Sequence, residues 1–288
     1  MSANFGPAGN AESFSAMGYK NSLDIPEYIE KMGLDAYEYQ CGRGVKIGED
    51  KADMLGRLAA EKGIKLSLHA PYYISMSSVE EQKRDNSVDY ILASARAVNA
   101  MGGSRIVVHT GSCGKLPREE ALRLAKDTMK KAIAALDNEG LGNIRVCPET
   151  MGKMNQLGTL EEVLELCTLD ERLLPCIDFG HLNARTLGAL KEKQDFAAVL
   201  DAIENKLGAA RLKEFHSHFS KIEYTAGGEK RHLTFEDTVF GPDYEPLIEL
   251  IYERGLCPTV ICESAGTQAE DALAMKKLYE SLGESVAP

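Results

Sequence analysis

A chain of 288 residues with 44% hydrophobic content can bury one large core, and a single domain of the barrel type over residues 1–288 fits that length. With no apolar run near about 18 residues and no charged-then-apolar leader after Met1, a folded cytoplasmic protein without a membrane span is expected. The formal net charge of −11 argues on its face against a polyanion partner, although carboxylates that ligate divalent cations would reverse the local field where they cluster.

In chain order, short apolar runs of strand length alternate with longer segments of helical period, which is the pattern of β/α units on a parallel sheet. Strands are expected near 2–6, 35–39, 64–69, 104–109, 144–149, 173–178, 211–216 and 258–263, and helices near 24–32, 49–62, 78–101, 117–138, 159–168, 194–206, 243–254 and 268–282. Several of the helical segments open on Ser, Asp or Thr or end in Gly, as helices tend to. This α/β alternation most simply closes into a (β/α)₈ TIM barrel, whose reactive side chains sit at the C-terminal ends of the strands. The seven cysteines are scattered without a C-x-x-C pair and read as reduced packing residues.

The third to eighth expected strands each end on a residue able to bind a metal: His69, His109, Glu149, Asp178, His216 and Glu263. Singly, each could be a histidine satisfied by a carbonyl or a carboxylate capping a helix. Together at one end of a barrel they would converge, and three unneutralised carboxylates would repel strongly. Cations resolve that repulsion, and imidazole and carboxylate ligands suit zinc, with manganese or iron as other occupants. All six histidines, which add His181, His218 and His232, fall at strand ends or in the following loops. The same loops carry Arg43, Lys46, Lys115, Lys153, Arg185, Lys221, Lys230 and Arg231, a cationic face suited to holding phosphates without reading sequence. No serine elbow or cysteine–histidine pattern stands at a strand end.

The motifs HAPYY at 69–73, HTGS at 109–112, PETMGK at 148–153, IDFGH at 177–181, FHSHFSK at 215–221 and CES at 262–264 together resemble the endonuclease IV family of xylose-isomerase-like barrels. The resemblance implies a DNA-repair hydrolase, an apurinic/apyrimidinic endonuclease whose trinuclear zinc centre incises double-stranded DNA 5′ to abasic sites through a metal-bridging hydroxide. No protein partner is implied, and a monomer is expected. By the same resemblance His69 and His109 hold one zinc. Glu149, the catalytic residue, bridges it to a second zinc on Asp178, His216 and Glu263. A third zinc falls to His181 and His232. The family's remaining ligand, an aspartate two residues before that last histidine, is replaced here by Lys230, which leaves Glu229 as the substitute. His218, two residues past His216 and so on the same strand face, is open to a role as a further ligand, as a phosphate contact or as neither. Tyr72 matches the residue that stacks beside the lesion, and Arg43, Lys153, Lys221 and Arg231 are the expected phosphate contacts. The first 50 residues depart most from the family. The alternative is a sugar isomerase or epimerase of the same barrel type, using one divalent metal on Glu149, Asp178, His216 and Glu263. The surplus of histidines favours the nuclease.

Overall fold

The computed structural model describes residues 2–284. Its strands are β1 (Asn4–Pro7), β2 (Ala36–Gln40), β3 (Lys65–His69), β4 (Arg105–Val108), β5 (Arg145–Pro148), β6 (Cys176–Asp178), β7 (His216–Phe219), β8 (Ile222–Thr225), β9 (Gly228–His232) and β10 (Thr259–Cys262). Its helices are α1 (Glu12–Ala16), α2 (Ile25–Lys31), α3 (Glu49–Glu61), α4 (Glu81–Ala100), α5 (Arg118–Asn138), α6 (Leu160–Cys167), α7 (Phe179–Arg185), α8 (Lys193–Leu207), α9 (Ala209–Lys213), α10 (Glu245–Glu253) and α11 (Gln268–Glu284), with a 3₁₀ turn at Ser22–Asp24.

Two parallel arcs, β1-β10-β7-β6 and β2-β3-β4-β5, are joined by the parallel bridges Ala8 to Glu38 and Glu149 to Cys176. Strands β1 to β7 and β10 therefore close a (β/α)₈ barrel. Such strands are covered on both faces, and β6, β7 and β10 are buried at every residue. The helices pack outside by apolar stripes: α3 buries Ala52, Leu55 and Ala59, spaced by three and four residues as one helical face requires. The start of α6 is fixed by a reciprocal cap. Thr159 Oγ1 accepts from the Glu162 amide at 3.2 Å while Glu162 Oε2 accepts from the Thr159 amide at 2.9 Å, a pairing worth roughly 0.5–2 kcal/mol. At Gly6 the neighbouring strand comes so close that a Cβ would lie 1.8 Å from Ala36 O, so only glycine fits there. No described helix is long and apolar enough to cross a membrane.

Three features differ from the sequence expectation. Residues 209–213 form α9, and strand β7 starts only at His216. Leu212 and Phe215 are both buried, yet three apart they would face opposite sides of a strand, so they do not support the strand expected over 211–216. The segment after β7 holds an antiparallel hairpin, β8 paired with β9, that lies outside the barrel sheet. Short helices α1 and α7 also fill stretches read as loop.

Candidate metal centre

The C-terminal strand ends deliver the ligand-type side chains to one place. His69 ends β3, His109 follows β4, Glu149 follows β5, Asp178 ends β6 and Glu263 follows β10. Around Glu149 and its neighbours the donor atoms fall into three groups, each within 4.8 Å of one another: His69, His109 and Glu149; Glu149, Asp178, His218 and Glu263; His181, Glu229 and His232. Glu149 is shared by the first two. Its Oε2 lies 3.4 Å from His69 Nε2 and 3.2 Å from His109 Nε2, and its Oε1 lies 3.0 Å from His218 Nδ1.

Local geometry fixes which nitrogen each ring presents. His69 Nδ1 sits 2.9 Å from the Ala70 carbonyl and His181 Nδ1 3.0 Å from the Thr150 carbonyl. A carbonyl only accepts, so in both rings Nδ1 carries a proton, and Nε2 is the nitrogen a cation would take on displacing any proton there. Asp178 caps α7, with Oδ1 accepting from the His181 amide at 2.7 Å. Its Oδ2 is buried and makes no hydrogen bond; it lies 3.1 Å from His181 Nδ1 and in one group with Glu149, His218 and Glu263, where a cation would complete its coordination. The donor set fits a divalent metal such as zinc.

The third group depends on an irregularity in the hairpin. In a regular strand Glu229 and His232, three apart, would face opposite ways. Here Glu223 opposes Arg231 while Tyr224 opposes Glu229, so Lys230 is the extra residue of a β-bulge that resets the alternation. Glu229 Oε2 consequently comes within 3.4 Å of His181 Nε2, and the His181 and His232 rings meet edge to face at 5.4 Å.

Electrostatics follow from the crowding. Burial alone would raise the Glu149 carboxyl, but the imidazoles of His218, His109 and His181 hold it well below the usual range. Asp178 is raised by burial. Burial opposes the charged form of His181, yet Asp178 and Glu149 push it up to about 10, whereas burial prevails at His109 and lowers it. In the protein alone, protonated imidazoles thus neutralise the carboxylates that cations would otherwise neutralise.

Three expected placements are corrected. His216 is not beside Glu149, Asp178 and Glu263; its Nε2 bonds to Glu38 Oε2 at 2.9 Å, and His218 occupies the expected place. Because β7 begins at His216 and not before it, that residue is one side-chain step below the strand end. Cys176 and His218 lie close enough to it to form a further His/Cys group. Lys221 is buried, donating to the Asp237 carbonyl at 2.7 Å and pairing with Asp243 at 2.9 Å, so it is not presented to a ligand. Arg185 likewise turns inward, donating to the carbonyls of Met151, Lys153, Met154 and Gln156.

Tyr72 is 56% exposed and stacks on His109 at 5.3 Å. A Cβ at Gly42 would lie 2.4 Å from its ring, so the loop after β2 supports it. With Lys153 and Gln156 it lines a cavity of about 390 Å³ over the three groups. Arg43 stands on a separate shallow depression. Arg231 is exposed and bonds to Glu223 at 2.7 Å, beside a depression that His232 also lines. Sequence reasoning missed Glu38, although Ala36, Glu38 and Gln40 share one strand face and a carboxylate there was a readable signal.

The profile of the xylose isomerase-like TIM barrel family matches residues 26–282. An uncharacterized protein of Methanocaldococcus jannaschii is 34% identical over 278 residues, covering 96% of this chain and 97% of that one. A protein named probable endonuclease 4 from Acholeplasma laidlawii is 30% identical over 206 residues, 68% of this chain and 67% of its own. Among solved structures, a D-tagatose 3-epimerase-like protein superposes with a TM-score of 0.70 at 21% identity, over 99% of this chain and all of that one; this likeness speaks for the fold alone.

Proposed function

Since the chain belongs to the xylose isomerase-like TIM barrel family, we propose that it is a metal-dependent phosphodiesterase that incises double-stranded DNA 5′ to abasic sites, a cytoplasmic DNA-repair enzyme acting as a monomer. One observation carries this reading: nine ligand-type side chains form three adjoining groups, two of which share Glu149. A single-metal enzyme has no use for that many.

His69, His109 and Glu149 would hold one zinc, Glu149, Asp178, His218 and Glu263 a second, and His181, Glu229 and His232 a third, with manganese or iron as other occupants. Divalent cations bound there polarise phosphoryl oxygens and acidify a water. Glu149, kept ionised by the imidazoles around it, orients the attacking water by accepting its hydrogen bond. Tyr72, exposed above the centre and braced on His109, offers an aromatic face to the gap left by a missing base. Lys153 at the cavity wall contacts the phosphate, and Arg43 and Arg231 hold the flanking backbone.

A second reading is favoured by a specific feature. Glu149, Asp178, His218 and Glu263 form one four-residue group, sufficient for a sugar isomerase or epimerase with one divalent metal. Fold alone does not separate these chemistries. A duplex carrying one synthetic abasic site, incubated with zinc or manganese, decides between them. Incision 5′ to the lesion, leaving a 3′-hydroxyl, is expected; an intact duplex together with epimerisation of a ketohexose would overturn the nuclease.

A further inference from the structure

Below the cavity, β2 reaches across the barrel interior to β7 through Glu38, which is fully buried. Its Oε2 accepts hydrogen bonds from Ser67 Oγ and His216 Nε2, both at 2.9 Å. Its Oε1 accepts from Gln40 Nε2 at 3.4 Å and lies 2.9 Å from His218 Nε2. The other nitrogen of His218, Nδ1, points upward, 3.0 Å from Glu149 Oε1 and 3.5 Å from Glu263 Oε1. One imidazole therefore stands between the second ligand group and a sealed carboxylate.

The chemistry of that ring leaves one consistent arrangement. A nitrogen that ligates a cation must be free of its proton, so a ligating Nδ1 requires the proton of neutral imidazole on Nε2. The atom facing Nε2 is an oxygen of Glu38, which when ionised only accepts. In the protein alone this contact has the length of a hydrogen bond but not its line, so the ring is in place with its N–H off axis. Glu38 itself cannot swing away, because Ser67 and His216 hold its second oxygen from two sides. His69 and His181 are oriented by backbone carbonyls. His218 faces a carboxylate instead, and a carboxylate partner makes an imidazole a more basic ligand than a carbonyl does.

We propose, on the reading that the strand-end groups hold metal, that Glu38 is a positioning residue of the centre: it selects the Nε2-protonated tautomer of His218 and presses Nδ1 toward Glu149, Asp178 and Glu263. This also assigns the two histidines of β7 to different tasks. His218 ligates; His216 anchors the carboxylate that orients it.

The test is Zn²⁺ affinity of the full chain, measured by competition with a chromophoric chelator, in wild type, Glu38→Gln and Ser67→Ala. It is paired with ¹⁵N-histidine NMR of the zinc-loaded proteins. Glu38→Gln is expected to weaken one zinc equivalent about 10- to 100-fold, the range known for lost carboxylate partners of ligating histidines. Ser67→Ala, which removes one bond to Oε2, is expected to weaken the same equivalent less. In wild type one imidazole Nε2–H, assigned by its absence in His218→Gln, should resonate far downfield and move upfield in Glu38→Gln. A role in packing alone would leave that resonance unmoved. Should Glu38→Gln fail to fold, Ser67→Ala decides: wild-type affinity and an unshifted resonance would overturn the proposal. Wild type that binds no zinc would instead sink the metal reading, and the positioning role with it.

Discussion

The strand-end centre and the layer one step beneath it are built from the same side chains and do opposite things. At the rim, Glu149, Asp178 and Glu263 crowd together with imidazoles under an open cavity, and Asp178 Oδ2, 3.1 Å from His181 Nδ1, makes no hydrogen bond. Below, Glu38 is sealed from solvent and matched by Ser67 and His216. The two layers differ in access: the rim opens on the cavity, whereas Glu38 is sealed, and since His216 Nδ1 and His218 Nε2 beside it also lack a hydrogen-bond partner, an unmet polar atom marks a cation site only where the cavity reaches it.

Four substitutions or treatments would break or sharpen that contrast. Glu149→Gln keeps the shape of the rim but removes the shared charge, and turnover on abasic duplex should fall by about 10³-fold or more, within the span for lost acid–base groups; a variant within tenfold of wild type would show that the groups do not work through Glu149. His218→Ala and His216→Ala should separate the layers in metal analysis. The former should lose a zinc equivalent, while the latter should only weaken that equivalent, as Ser67→Ala should, and destabilise the fold by roughly 1–3 kcal/mol because Glu38 loses a buried partner. Equal metal loss in both would erase the distinction. Chelation should lower the thermal midpoint, with Zn²⁺ restoring it, since a ligand held only by the folded chain stabilises it by mass action; unchanged melting would argue that nothing binds at the rim.

The smallest effect lies on the outer surface. Glu165 accepts hydrogen bonds from Lys126 and Lys206, which lower its carboxyl to about 2. Its folded value is depressed, so its contribution is full above the ordinary 4.5 and is lost as pH falls toward 2. Glu165→Gln should therefore change stability by under about 1 kcal/mol at neutral pH, as exposed pairs do, with the difference shrinking in acid. A larger effect in acid than at neutrality would reverse the assignment.

The fold was legible because barrel strands and helices carry distinct periods, and the helices over 49–62 and 268–282 match α3 and α11 within two residues. The phase of β7 was not legible, since a five-residue helix followed by a four-residue strand is too short for either period to show. That single phase error placed His216, and not His218, beside Glu149, Asp178 and Glu263. Glu229 could be named only by elimination, because the bulge at Lys230 that turns it inward arises from hairpin pairing between distant residues. Lys221 shows the limit of reading charge from loops: its partners Asp237 and Asp243 lie 16 and 22 positions on in sequence, and only folding reveals that its charge is already used.

The most direct measurement is the metal content of the purified chain by elemental analysis, in wild type and in a Glu229→Ala/His232→Ala double variant. Close to three zinc equivalents, falling to two in the double variant, is the expected result. A single equivalent in wild type, unchanged by the double substitution, would contradict the three-group centre and leave the one-metal isomerase.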